Sequence, residues 1–101
     1  MAIVAVSISP TGSGPSVGEY VATALRVLEE QDEVAWELGP MFTTLEGDLD
    51  AIFSLVRRMQ EAVFEKGAVR VGTVLKIDDR RDKAATMAGK IASARRRIDE
   101  D

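Results

Sequence analysis

Val69 to Ile77 is a run rich in Val, Leu and Ile with no Pro, and it breaks directly into Asp78-Asp79-Arg80-Arg81-Asp82-Lys83, six consecutive charges. The first half suits a strand packed within a sheet. The second half cannot stay in a core, so the chain must leave the sheet there. The preceding elements must supply the neighbours that bury the strand, and the segment after it must pack elsewhere. The charge run itself has two readings. One is a solvated turn with internal Asp–Arg pairing, which contributes little stability. The other is an ordered contact in which Arg80 and Arg81 offer forked guanidinium groups to a carboxylate or phosphate. We expect these two arginines to contact Asp78 and Asp79 locally, or carboxylates of a neighbouring subunit.

Upstream, Ala2 to Ser9 alternates. Val4, Val6 and Ile8 share one face; Ile3, Ala5, Ser7 and Ser9 share the other. Pro10-Thr11-Gly12-Ser13-Gly14-Pro15 is a loop, and it matches neither the P-loop nor the dinucleotide pattern. Ser16-Val17-Gly18-Glu19 reads as a capping box that opens a helix with Val17, Val21, Ala24, Leu25 and Leu28 as its stripe. Val34–Gly39 is a short second strand, interrupted by Pro40. Phe42–Gly47 is a third, joined to it through Gly39-Pro40-Met41. Asp48 can cap a second helix whose stripe is Leu49, Ile52, Phe53, Val56, Met59 and Val63. Lys66-Gly67 ends it. Beyond the charge run, Ala84 to Ile98 is an Ala-rich third helix with Arg95-Arg96-Arg97 in its last turn, where cations suit the helix dipole.

The order strand, helix, strand, strand, helix, strand, helical tail predicts one α+β domain over 1–101. Its architecture is the split, ferredoxin-like βαββαβ arrangement with a four-stranded antiparallel sheet in order 4-1-3-2 plus a C-terminal helix. Two helices cover one sheet face. The other face, with Ile3, Ala5 and Val74, stays open, and a second copy of the chain would bury it. Charge asymmetry favours the same outcome: residues 1–66 carry 4 basic and 11 acidic side chains (net −7), residues 67–101 carry 9 and 6 (net +3).

The absence of His and Cys removes the commonest general base, thiol chemistry and the commonest transition-metal ligands. No catalytic residue, metal site or cofactor is expected. The acidic pairs Asp48/Asp50 and Asp78/Asp79 could hold Mg²⁺ through oxygen ligands, but a capping role and a turn role explain them without metal. The basic excess of the second half is too small and too interleaved with acids to point to nucleic acid. No apolar run reaches the length of a membrane span, and the first residues lack a signal-peptide pattern, so a cytoplasmic protein is expected.

A binding site is easier to build from this chain. Strand alternation puts Ser7 and Ser9 on the open face, and Thr44 and Glu46 join them if Leu45 is core. Trp36, Met41 and Phe42 could supply aromatic and soft apolar walls nearby. Hydroxyls and one carboxylate against such walls suit a small, flat, cationic heterocycle. The plain alternative makes Trp36 and Phe42 packing residues and leaves Glu46 solvated.

Three segments carry a family resemblance. They are Ser7-Ile8-Ser9-Pro10-Thr11-Gly12 with the later Ser16; Leu38-Gly39-Pro40-Met41 leading to Glu46-Gly47; and Gly67-Ala68-Val69-Arg70-Val71 leading to Lys76-Ile77-Asp78-Asp79-Arg80-Arg81-Asp82-Lys83. Together they resemble the small thiamine-binding protein family, the YkoF-like group, from about Ile3 into the last helix. The resemblance implies a ferredoxin-like fold, homo-oligomers in which dimers pair into tetramers, and non-catalytic binding of thiamine or its hydroxymethylpyrimidine part. Phe42 departs from the family pattern, which is expected to carry a small residue after the Pro-Met pair. The alternative function is a structural or regulatory oligomerisation module whose open face is only an interface.

Overall fold

Nine residues of alternating character, Ala2–Pro10, form β1, which pairs with a neighbouring strand on each side. The computed structural model describes residues 1–12, 14 and 17–100. After β1 come α1 (Gly18–Glu29), β2 (Ala35–Leu38), β3 (Thr43–Gly47), α2 (Leu49–Glu65), β4 (Val71–Asp79) and α3 (Met87–Glu100). The sheet order is β2-β3-β1-β4, with each neighbouring pair antiparallel. This is the expected ferredoxin-like arrangement, read from the opposite edge.

The core lies between the sheet and α1 and α2. Val4, Val6 and Ile8 of β1 are buried there with Leu45 of β3, Ala24 and Leu28 of α1, and five side chains of α2. Those five are Ile52, Leu55, Val56, Met59 and Val63. The sequence stripe therefore needs one exchange. Phe53 is 43% exposed, whereas Leu55 is 3% exposed. Each helical residue turns by about 100°. Phe53 thus falls about 100° from Ile52, outside the arc that Leu55, Ile52 and Met59 define.

Local chemistry sets the joints. Asp48 caps α2, its carboxylate accepting from the Ala51 N–H at 3.1 Å. Between α1 and β2 the Gln31 side chain donates to the carbonyls of Leu28 (3.0 Å) and Val34 (2.9 Å) and accepts from the Val34 N–H (2.8 Å). One amide group thus satisfies three backbone groups at a partly buried turn. The β2–β3 hairpin needs glycine: a Cβ on Gly39 would stand 2.4 Å from the Phe42 carbonyl oxygen.

Several element ends differ from the sequence reading. The capping box rests partly on Ser16, which lies outside the described residues; the N-cap residue of α1 is Val17, which makes no side-chain cap. β4 begins at Val71 rather than Val69, which is 92% exposed, and it runs on through Asp78 and Asp79. It is an edge strand pairing only with β1. Charged residues are tolerated there because one side meets water. α3 begins at Met87 rather than Ala84, because the Thr86 hydroxyl accepts from the Gly89 N–H at 2.9 Å and caps it.

The burial pattern predicts unequal costs on α2. Ile52→Ala should destabilise by about 2–5 kcal/mol, and Phe53→Ala by less than about 1 kcal/mol. Urea unfolding of both variants checks the helix phase.

Candidate functional site

The register of β1 with its two neighbours lays out the open face row by row. Ile3 pairs with Glu46 on one side and Asp78 on the other. In the next row Ala5 lies between Thr44 and Lys76, with Glu37 beyond Thr44. Ser7 then faces Val74, and Ser9 faces Gly72. Alternation thus gathers Ser7, Ser9, Thr44 and Glu46 on the face away from α1 and α2, as the strand phases required. Glu37, Glu46 and Asp78 outnumber Lys76 there, so the face favours a cation.

The three expected wall residues are less closely grouped. Trp36 pairs with Leu45, a core residue, so it lies on the helix side of the sheet, packed against the core. Met41 is 82% exposed and borders a cavity of about 60 Å³ whose lining includes Ser7 as well as Val6, Ile8, Val21 and Leu25. That cavity also belongs to the helix side. Phe42, 38% exposed, immediately precedes β3 and continues the alternation of Thr44 and Glu46. Of the three, Phe42 is the one whose position continues the open-face series.

Three charged residues that sequence reasoning missed belong to this face: Glu37, on β2 opposite Thr44, and Asp78 and Lys76 on β4. On β4 the signal was present, because Val74, Lys76 and Asp78 alternate with Leu75 and Ile77. The charge run masked it by suggesting that the strand ended at Ile77.

α3 reaches the same face. The Met87 backbone N–H donates to Glu46 Oε1 at 2.7 Å, and Lys90 Nζ lies 2.5 Å from Asp78 Oδ2. The hydrogen bond and charge of Lys90 hold the Asp78 carboxyl below the usual aspartate value. Four of the remaining charges pair within the run. Arg80 binds Asp82 through two bonds of 2.5 and 2.8 Å and holds its pKa down to about 2, while Arg81 lies 3.3 Å from Asp79. The arginine contacts are therefore local, with Asp82 rather than Asp78 as the partner of Arg80. The acidic pairs considered for Mg²⁺ are largely committed: Asp48 to a helix cap, Asp78 to Lys90 and Asp79 to Arg81.

Larger hollows lie beside the charge run. One of about 620 Å³ is bordered by Asp48, Asp50, Asp79, Arg80 and Arg81, and another of about 580 Å³ by Lys83, Lys90, Arg96 and Arg97. Neither includes any of the seven expected site residues.

Comparison with known proteins identifies the family of the chain. The model of the family described as "Thiamine-binding protein" matches residues 4–95. The chain belongs to the thiamine-binding protein family. It is 41% identical to a UPF0045 protein of Bacillus subtilis, over 97% of this chain and 98% of that one. Among solved structures it is similar to a hypothetical protein of Methanocaldococcus jannaschii, with TM-score 0.84, 38% identity, and coverage of 92% of this chain and 94% of that one. A Thermotoga maritima protein, described as a candidate thiamine biosynthesis/salvage protein, shares the fold with TM-score 0.77 at 22% identity, covering 92% of this chain and 97% of that one. Membership gives this thiamine-binding family chain a thiamine-related role. Among the described residues no helix is long and apolar enough to cross a membrane.

The ion pair of Asp78 with Lys90 predicts a titration. A lowered folded pKa means that the contact contributes stability above the ordinary aspartate value, about 3.9, and loses it as pH falls through the lowered one. Carbon-detected NMR should find the Asp78 carboxyl titrating below that value in the wild type. Lys90→Ala should move the midpoint back up.

Proposed function

We propose that this protein binds thiamine or its hydroxymethylpyrimidine part on the open sheet face, without turnover, as a cytoplasmic homo-oligomer of dimers paired into tetramers. One observation carries the reading: in a chain of the thiamine-binding family, Ser7, Ser9, Thr44 and Glu46 lie on one sheet face. Thiamine carries a fixed positive charge and an aminopyrimidine. Hydroxyls can hydrogen-bond the pyrimidine, and the carboxylate of Glu46 can balance the charge. Phe42 offers a flat surface at the edge of the same face. Binding of this kind needs no shifted pKa and no general base, which suits a chain without His or Cys.

The face is a shallow surface in the single chain, and a second copy would turn it into an enclosed site. Val74 is 56% exposed on it, which supports burial against that copy. The same observation favours a second reading, in which the open face is only an interface and takes no ligand.

Calorimetry separates the two. We expect saturable thiamine binding by the wild type. Losing a charge-assisted contact costs roughly 1.5–3 kcal/mol, so Glu46→Gln should weaken thiamine by about tenfold or more. The uncharged hydroxymethylpyrimidine should lose less. Absence of heat with both ligands at millimolar concentration would leave the interface reading.

Sedimentation equilibrium tests the assembly. A tetramer should sediment at about four times the 11.0 kDa chain mass. A monomer at micromolar concentration would overturn the oligomer and, with it, the enclosure of the site.

A further inference from the structure

The attachment of α3 is unlike that of the other helices. None of its described residues is buried, and Ile91 and Ile98 are 54% and 70% exposed. Its polar links to the sheet, among the described residues, are the Met87 N–H on Glu46 and the Lys90 ammonium on Asp78. These two carboxylates flank Ile3 in one row of the open face. Ile3 is correspondingly buried, 8% exposed, while Val74, two rows along, is 56% exposed.

Both links present positive charge to a carboxylate. Met87 is the first residue of α3, so its N–H is one of the donors that a helix cannot satisfy internally, and it stands at the positive end of the helix dipole. Lys90, one turn on, adds a full charge. The start of α3 therefore makes, within the chain, the kind of contact that a cationic heterocycle would make with the same face. A flat cation lying over Ile3 would need the space that the first turn of α3 occupies.

We propose that Asp78 is the second carboxylate of the ligand site and that the first turn of α3 is a built-in competitor, which a cationic ligand displaces from Glu46 and Asp78. The inference rests on the binding reading above and adds a linkage to it. Affinity for a protein whose competent state is partly populated falls with that population. Whatever weakens the docking of α3 therefore tightens the ligand. The Glu46 contact favours the ligand on its own terms, because a fixed cation is a stronger partner for a carboxylate than a neutral backbone N–H.

Two substitutions loosen α3 without touching the carboxylates. Met87→Pro deletes the donating N–H at the first helical position, where proline is tolerated. Lys90→Ala removes the ammonium. The experiment measures amide hydrogen exchange over residues 91–97 in the full chain, with and without thiamine, together with calorimetry. We expect faster exchange in the doubly substituted chain without ligand, several-fold tighter thiamine binding by it, and thiamine-accelerated exchange in the wild type. Unchanged exchange in the substituted chain shows that these contacts do not hold α3, and overturns the proposal while leaving thiamine binding intact. Slower wild-type exchange on adding thiamine makes α3 a closing cover and also overturns it. If neither chain binds thiamine, the binding reading fails and displacement falls with it, a result distinguishable from the other two by calorimetry alone.

Discussion

The structure depends on β1, which like β3 is hydrogen-bonded on both sides and carries the longest pairing in the sheet. It pairs antiparallel with β3 over Ala2–Val6 and with β4 over Ala2–Pro10. Its alternation divides the molecule into a dry side and a wet one. Val4 and Leu45 are fully buried under the helices, while their sequence neighbours Ala5 and Glu46 face away. A slip of one residue would send Ser7 and Ser9 into the core and Val4, Val6 and Ile8 into water, so the apolar pattern specifies the register strongly. The polar arrangement of the open face is therefore a by-product of core formation. Once one face is driven together, the opposite face is assembled with its polar groups in fixed rows.

The edge strand sets the electrostatics of that second face. Because β4 pairs only with β1, it can carry Lys76, Asp78 and Asp79 inside a regular strand with little desolvation. Asp78 is thereby brought beside Ile3 and across from Glu46, two carboxylates on strands far apart in sequence. In the charge run that follows, Arg80 pairs with Asp82 and Arg81 with Asp79. Lys90 comes instead from the helix beyond it, and this ties the tail of the chain to the open sheet face.

α3 illustrates how a helix with little apolar content can be held in place. Its hydroxyl cap at Thr86, its carboxylate partner at Glu46 and its ion pair at Asp78 are all polar and all partly exposed. Contacts of that kind contribute modestly each. α1 and α2 by contrast bury Leu28, Ile52 and Val63 completely. The molecule thus combines a two-layer body with a buried apolar core and a helix tied to the sheet through two carboxylates.

The sequence by itself determined the order of the elements, the sheet order and which side of β1 and β3 is core, because period-two alternation and helical stripes are written residue by residue. It also placed Ser7, Ser9, Thr44 and Glu46 on one face, for the same reason. The tertiary structure decided what periodicity leaves open. It set Trp36 on the core side, since that depends on pairing with Leu45 and not on composition. It exchanged Phe53 for Leu55, since both lie at the margins of a plausible stripe and only the sheet beneath selects between them. It carried β4 through Asp78 and Asp79, since an edge position tolerates charge that a central one would expel. And it brought Met87 to Glu46 across 41 residues of chain, a long-range contact that no local pattern encodes.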